Sequence, residues 1–180
     1  MEKRILFDTS VYGEFVYDRE FFSILKQKKE KIECIFYGNN IIRNELRATP
    51  KKSIIFDKSL RTYLLYFYDQ LITKENHILK INFLVENLAQ RYYDEYKKRG
   101  GSVGEENIKN DLFIVASATF YQMAILVSSD KRTLLSDAAI KAYKHVNEKN
   151  GLQNPEFLHY NSFRNKILKR CDISWTLSKL

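Results

Sequence analysis

Four carboxylates in this chain stand where their side chains could meet: Asp8, Glu45, Asp111 and Asp130. Asp8 ends the apolar run Ile5-Leu6-Phe7, and Asp130 ends the run Ile125-Leu126-Val127-Ser128-Ser129. Ligands of an open α/β sheet bind at the carboxyl ends of its strands, so two parallel strands would bring both aspartates to one edge. Glu45 shares a helical stripe with Ile41, Ile42 and Ala48, where an apolar residue is expected. Asp111 opens a stripe continued by Ile114, Val115 and Ala118. Inward-facing carboxylates are costly unless a counter-charge or a metal meets them. Hard oxygen ligands of this kind suit Mg²⁺ or Mn²⁺.

Taken singly, each acid has an ordinary explanation. Turn or helix capping accounts for Asp8 beside Thr9 and Ser10 as well as a functional role does. An arginine partner would satisfy Glu45 or Asp111. It is the convergence of four that points to a metal. Other chemistries are disfavoured. His77, His145 and His159 lie in unrelated stretches, which argues against zinc. The chain has no G-x-x-x-x-G-K-[ST] loop and no G-x-S-x-G nucleophile elbow. A phosphotransferase on a related sheet would want a second acid two residues after Asp8, where Ser10 stands.

The elements that must position these acids alternate along the chain. Strands are expected at Ile5–Phe7, Glu33–Tyr37, Ala124–Ser129 and Glu156–Tyr160, with a brief extended piece at His77–Lys80. Helices are expected at Glu20–Lys29, Asn40–Ala48, Ser59–Thr73, Phe83–Arg99, Glu106–Gln122, Thr133–Lys149 and Ser162–Arg170. The order implies an α/β fold with helices on both faces of a parallel sheet. The unbroken apolar runs at Ile5–Phe7 and Ala124–Val127 suit strands buried on both faces. Residues 1–180 read as one domain, with 51–104 a helical elaboration, its helices an inserted arm serving as a lid or an oligomer face. Tyr63, Tyr66 and Phe67 at helical spacing are core or dimer-surface residues.

With 180 residues and 44% hydrophobic content, the chain can build its own core. Cys34 and Cys171 have no metal-binding spacing and read as reduced thiols. The apolar run after Met1 is too short for a signal peptide or a membrane span, so a soluble, cytoplasmic protein with no membrane partner is expected. The net charge of +8 suits a polyanionic partner.

At four places the sequence resembles the PIN-domain ribonucleases. Asp8-Thr9-Ser10-Val11-Tyr12 after a short strand is similar to their opening motif, and Ile41-Ile42-Arg43-Asn44-Glu45-Leu46 to their second. Asn110 to Ala118 resembles the third motif, and Leu126-Val127-Ser128-Ser129-Asp130 the fourth. All four occur in the family's order. The resemblance implies a three-layer α/β/α sandwich and endonucleolytic cleavage of single-stranded or structured RNA with Mg²⁺ or Mn²⁺. Asp8, Glu45, Asp111 and Asp130 would be the metal-binding, catalytic acids, with Asp8 and Asp111 the first choice as direct ligands. Ser10 and Ser128 match supporting hydroxyl positions. Lys131 and Arg132 are candidate phosphate contacts, although a solvated turn would look the same. Arg43, Arg47, Lys51 and Lys52 could line an RNA path or simply face solvent. The chain departs from the small toxin members in two places. Lys131-Arg132-Thr133 replaces a second acid followed by an aromatic, and segment 51–104 is longer. Implied partners are RNA, a second copy of the chain and an antitoxin protein; an inactive RNA-binding module of the same fold is the alternative. The nuclease reading requires the four acids to gather, and Glu45 paired with a distant arginine would break it.

Overall fold

Strand β1 (Lys3–Phe7) is an apolar run because it lies in the middle of a sheet and is covered on both faces. The computed structural model describes residues 2–31 and 33–177, with side chains up to 169. Cys34 is buried, and the side chain of Cys171 lies outside the described residues. β1 pairs in parallel with β2 (Cys34–Asn39) on one side and β6 (Ile125–Ser128) on the other, with Ile5 opposite both Phe36 and Ile125. Edge strands β5 (Ile78–Leu79) and β7 (Glu156–His159) complete an all-parallel sheet of order β5-β2-β1-β6-β7. This is the three-layer α/β/α arrangement that the sequence implies.

The helices follow from caps and buried stripes. Asp8 caps α1 (Thr9–Tyr17), whose Val11, Tyr12, Phe15 and Val16 are buried at helical spacing. No helix is expected there from sequence, because Gly13 and two β-branched valines weaken the local signal and tertiary burial overrides it. Asp18 caps α2 (Arg19–Glu30), and Asn39 caps α3 (Asn40–Ala48). Then come α4 (Leu60–Leu71), α5 (Phe83–Lys98), α6 (Glu105–Phe120), α7 (Asp137–Lys149) and α8 (Tyr160–Leu177). Helix α7 starts four residues later than expected from sequence. Thr133 is drawn into the carboxylate cluster instead, and Ser136 provides the cap.

Residues 51–104 supply more than helices. They carry the short antiparallel pair β3 (Ile54–Ile55) and β4 (Lys58–Ser59), and they contribute strand β5 to the central sheet. Helix α4 packs against α1, α2 and α3, while α5 packs against α6 and α7.

Beneath the sheet's carboxyl edge, the Phe7 ring meets Phe36 and Phe163, with centroids at 5.3 and 5.4 Å, and also Phe15 and Tyr12. Burying such a ring is worth about 1.5–3 kcal/mol, and each aromatic pair adds about 0.5–1.5 kcal/mol. Elsewhere in the core, Tyr92 donates its hydroxyl to Asn147 at 2.6 Å and reaches Thr119 at 3.0 Å, so its polar end is satisfied within the interior.

Gly38 holds α4 close to this edge. A Cβ there would lie 2.4 Å from the Tyr68 hydroxyl and 2.8 Å from its ring, and Tyr68 is 1% exposed. The same hydroxyl donates to the carbonyl of Asn39. Gly38→Ala is therefore expected to destabilise the fold by about 1–3 kcal/mol through overpacking. Urea denaturation checks this, and an unchanged midpoint would mean that Tyr68 yields freely.

Candidate active site

Each of the four acids arrives at the carboxyl edge by the element expected. Asp8 follows β1, Glu45 lies on α3, Asp111 on α6, and Asp130 two residues beyond β6. Asp8 is 4% exposed and the other three are half-buried. None forms an ion pair with a lysine or arginine among the described residues. Arg43, one of two arginines on Glu45's own helix, pairs with Asp69 instead.

Hydroxyls and amides fill the place of counter-charges. Asp8 Oδ2 accepts from the Ser10 hydroxyl at 2.6 Å and the Ser128 hydroxyl at 2.8 Å, with the Ser10 backbone N–H at 3.4 Å. The two serines are structural as well. The Ser129 backbone N–H donates to Ser10 Oγ, and the Asp130 N–H to Ser128 Oγ, both at 2.9 Å. The start of α1 and the end of β6 are thus tied together through Asp8. Among the described residues no protein donor reaches Oδ1 of Asp8 or Oδ1 of Asp111.

Three positioning residues were not anticipated from sequence. The Thr133 hydroxyl lies between Asp111 and Asp130, within hydrogen-bond reach of both carboxylates. Thr9 donates its hydroxyl to Glu45, and the Asn110 amide donates to the other Glu45 oxygen at 2.6 Å. Thr9 and Asn110 each adjoin an acid already singled out, so their adjacency was the available signal. Thr133 sits three residues after Asp130, the spacing of an Asx-type turn, and Asp130 Oδ1 accepts from the backbone N–H of Arg132 and Thr133 at 2.7 and 3.0 Å.

The electrostatics set two of the acids apart. Burial, together with the charges of Asp8, Asp130 and Glu45, pushes Asp111 up to about 7 despite the Thr133 hydrogen bond. Burial would raise Asp130 also, but the Thr133 hydroxyl, the two backbone donors and the Arg132 charge outweigh it and hold it below its ordinary value. Burial, and next the charge of Asp111, pushes the Tyr143 phenol well up, so the negative field extends into the core.

Lys131 and Arg132, which follow Asp130 directly, are exposed, and Arg47, Lys51 and Lys52 are exposed as well. Among the described residues no three His, Cys, Asp or Glu side chains converge as a set able to hold a metal ion, and the Thr133 hydroxyl stands between Asp111 and Asp130. The donor set nevertheless fits a hard divalent cation. It offers carboxylate oxygens, places like charges near one another without an ion-paired lysine or arginine among the described residues, and leaves one oxygen each of Asp8 and Asp111 without a protein donor.

No family model and no curated protein matches the chain. Solved structures that share its fold include two toxin–antitoxin-type VapBC complexes. One chain of VapBC2 from Rickettsia felis, in a crystal structure bound to a DNA fragment from their promoter, matches with a TM-score of 0.53 and 12% identity over 87% of this chain and 98% of that one. A chain of VapBC-1 from nontypeable Haemophilus influenzae matches with a TM-score of 0.51 and 13% identity, over 88% and 98%. The fold is PIN-like, as the sequence resemblance implies.

The raised pKa of Asp111 makes stability pH-dependent. The folded state holds a proton that the unfolded chain releases near pH 4, so this group's contribution is full below that value and is lost as pH rises through about 7. In metal-free buffer, Asp111→Asn is expected to stabilise the protein at pH 8 by on the order of 2–4 kcal/mol, with little gain at pH 4. Thr133→Val should move the Asp111 midpoint higher still, and Thr133→Ser should restore it. Denaturation across pH and carboxyl NMR titration read both; a pH-independent difference for Asp111→Asn would refute the assignment.

Proposed function

We propose that the chain is a divalent-metal-dependent endoribonuclease acting at the carboxylate cluster, with Asp8, Glu45, Asp111 and Asp130 as its catalytic acids. The observation that carries this reading is the shell of hydroxyls and amides, rather than arginines, around these four acids, three of which act electrostatically on Asp111. The PIN-like fold supports a nuclease over other α/β chemistries.

Asp8 and Asp111 would hold Mg²⁺ or Mn²⁺ directly, with Glu45 and Asp130 beside them. When bound, the ion would supply a Lewis acid for the scissile phosphate and render a water acidic enough to attack in line. The chain's own residues perform the positioning. Ser10 and Ser128 fix the Asp8 carboxylate so that one oxygen remains for the ligand side. Thr9 and Asn110 hold Glu45 by both of its oxygens, and Thr133 keeps Asp111 and Asp130 in register. Below pH 7 the Asp111 proton would compete with the cation, so cation affinity should rise with pH. Lys131 and Arg132 would meet substrate phosphates at the rim.

A cytoplasmic setting follows from an RNA substrate. No helix among the described residues is long and apolar enough to cross a membrane. An antitoxin partner is supported by the VapBC structures that share the fold. A second copy of the chain would find exposed Tyr17, Ile54, Phe56 and Tyr66 available for contact. The hydroxyl-bridged state of the acids favours one alternative, an RNA-binding module of the same fold that does not cut.

Cleavage of labelled RNA with Mg²⁺ or Mn²⁺ separates the two. Wild type should cut and EDTA should stop it. Asp8→Asn and Asp111→Asn should each lose at least about 100-fold, and Ser128→Ala about 10–100-fold through the supporting hydrogen bond. RNA that is bound but never cut, with no rise in melting temperature on adding the ions, would establish the non-catalytic reading.

A further inference from the structure

A second site of different chemistry lies between strands β1, β2 and β5 and the chain just after α6. It is a cavity of about 870 Å³ that shares no lining residue with the carboxylate cluster. Arg4, Lys74 and Lys80 line it, with Glu75 the one acid and Tyr37 and Tyr121 as aromatic walls. Arg4 is on β1 four residues before Asp8, roughly 13 Å along an extended strand.

The cations here have no acidic partner. Among the described residues neither Arg4, Lys74 nor Lys80 pairs with a carboxylate, whereas Lys28, Arg43, Arg99, Arg164 and Lys166 do. The Arg4 guanidinium lies over the Tyr37 ring at 4.9 Å, and its Nε is buried without a hydrogen-bond partner. The His77 ring is also against Tyr37, with centroids 5.0 Å apart. Burial first, and then the charges of Lys74, Lys29 and Arg4, hold this imidazole below its ordinary value. Tyr121 is fixed by its hydroxyl, which donates to the Lys80 carbonyl at 2.9 Å.

Concave cationic surface focuses an attractive field on anions. Arginine and lysine meet phosphate through charge-assisted hydrogen bonds, and tyrosine rings accept a stacked base. The volume is that of an organic ligand site rather than of a single ion. We infer that this cavity is a nucleotide site, the phosphate held by Arg4, Lys74 and Lys80 and the base placed against Tyr121. The nucleotide is either a free mononucleotide or one unit of an RNA strand, and the site does not depend on the carboxylate cluster being catalytic.

Calorimetric titration of the full chain carrying Asp8→Asn, in EDTA and at low salt, isolates this site from cleavage. The probes are AMP, UMP, a short single-stranded RNA and inorganic phosphate. Saturable binding of a mononucleotide, tighter than that of phosphate, supports a free-nucleotide site, and binding of RNA alone supports a strand contact. In either case Lys74→Gln/Lys80→Gln, which alters two exposed side chains, should weaken binding about tenfold or more. The inference is overturned if no probe but phosphate binds below about 10 mM, if phosphate binds as tightly as the nucleotides, or if the double variant binds like its parent. Cleavage by the protein with intact Asp8 is scored separately, so failure of the nuclease reading leaves this result readable.

Discussion

Like charges held together at the carboxyl edge of a buried parallel sheet are the constraint to which the surrounding structure answers. Four carboxylates sharing one edge repel, and burial removes the water that would screen them. The chain does not neutralise them with arginine. It surrounds them with hydroxyls and amides from Thr9, Ser10, Asn110, Ser128 and Thr133. These donors stabilise the anions without occupying the cluster with fixed positive charge. The residual strain falls on Asp111, the acid pushed up to about 7.

The sheet makes this arrangement stiff. β1 and β6 are adjacent and parallel, so Asp8 and Ser128 come from neighbouring strand ends, and one hydroxyl can bond to a carboxylate and a backbone N–H at once. Below them, the Phe7 ring is locked among Phe15, Phe36 and Phe163, so the residue preceding Asp8 has little freedom to shift. Asn39 plays the equivalent part on β2. It caps α3, which carries Glu45, and its carbonyl accepts from Tyr68 on α4. Packing of the core and positioning of the acids are therefore one property of the fold.

Charge is distributed unevenly around this frame. The acids gather at one edge, while Arg4, Lys74 and Lys80 gather around a separate cavity with a single acid among them. A net charge of +8 thus conceals two sites of opposite sign. Strand β5 and the residues before it build much of the cationic cavity, which gives segment 51–104 a place in the sheet as well as helices on its faces.

The parallel sheet and the four acids were legible in local sequence patterns. Unbroken apolar runs ending in aspartate, and acids set into apolar helical stripes, are local patterns that survive without coordinates. Boundaries fared worse where tertiary contacts overrode local preference. Helix α1 formed around Gly13 because Tyr12 and Phe15 are buried against Phe7, and Thr133 left the expected helix for the carboxylates. Which donors meet each acid depends on how the chain folds back on itself, since Thr133 and Asp111 are 22 residues apart and Asn110 and Glu45 are 65 apart. The tertiary structure alone assembled the cationic cavity, because Arg4, Lys74 and Tyr121 share no sequence pattern and are neighbours only through the strand order. Periodicity records which way a side chain faces; what it faces depends on pairings between distant segments.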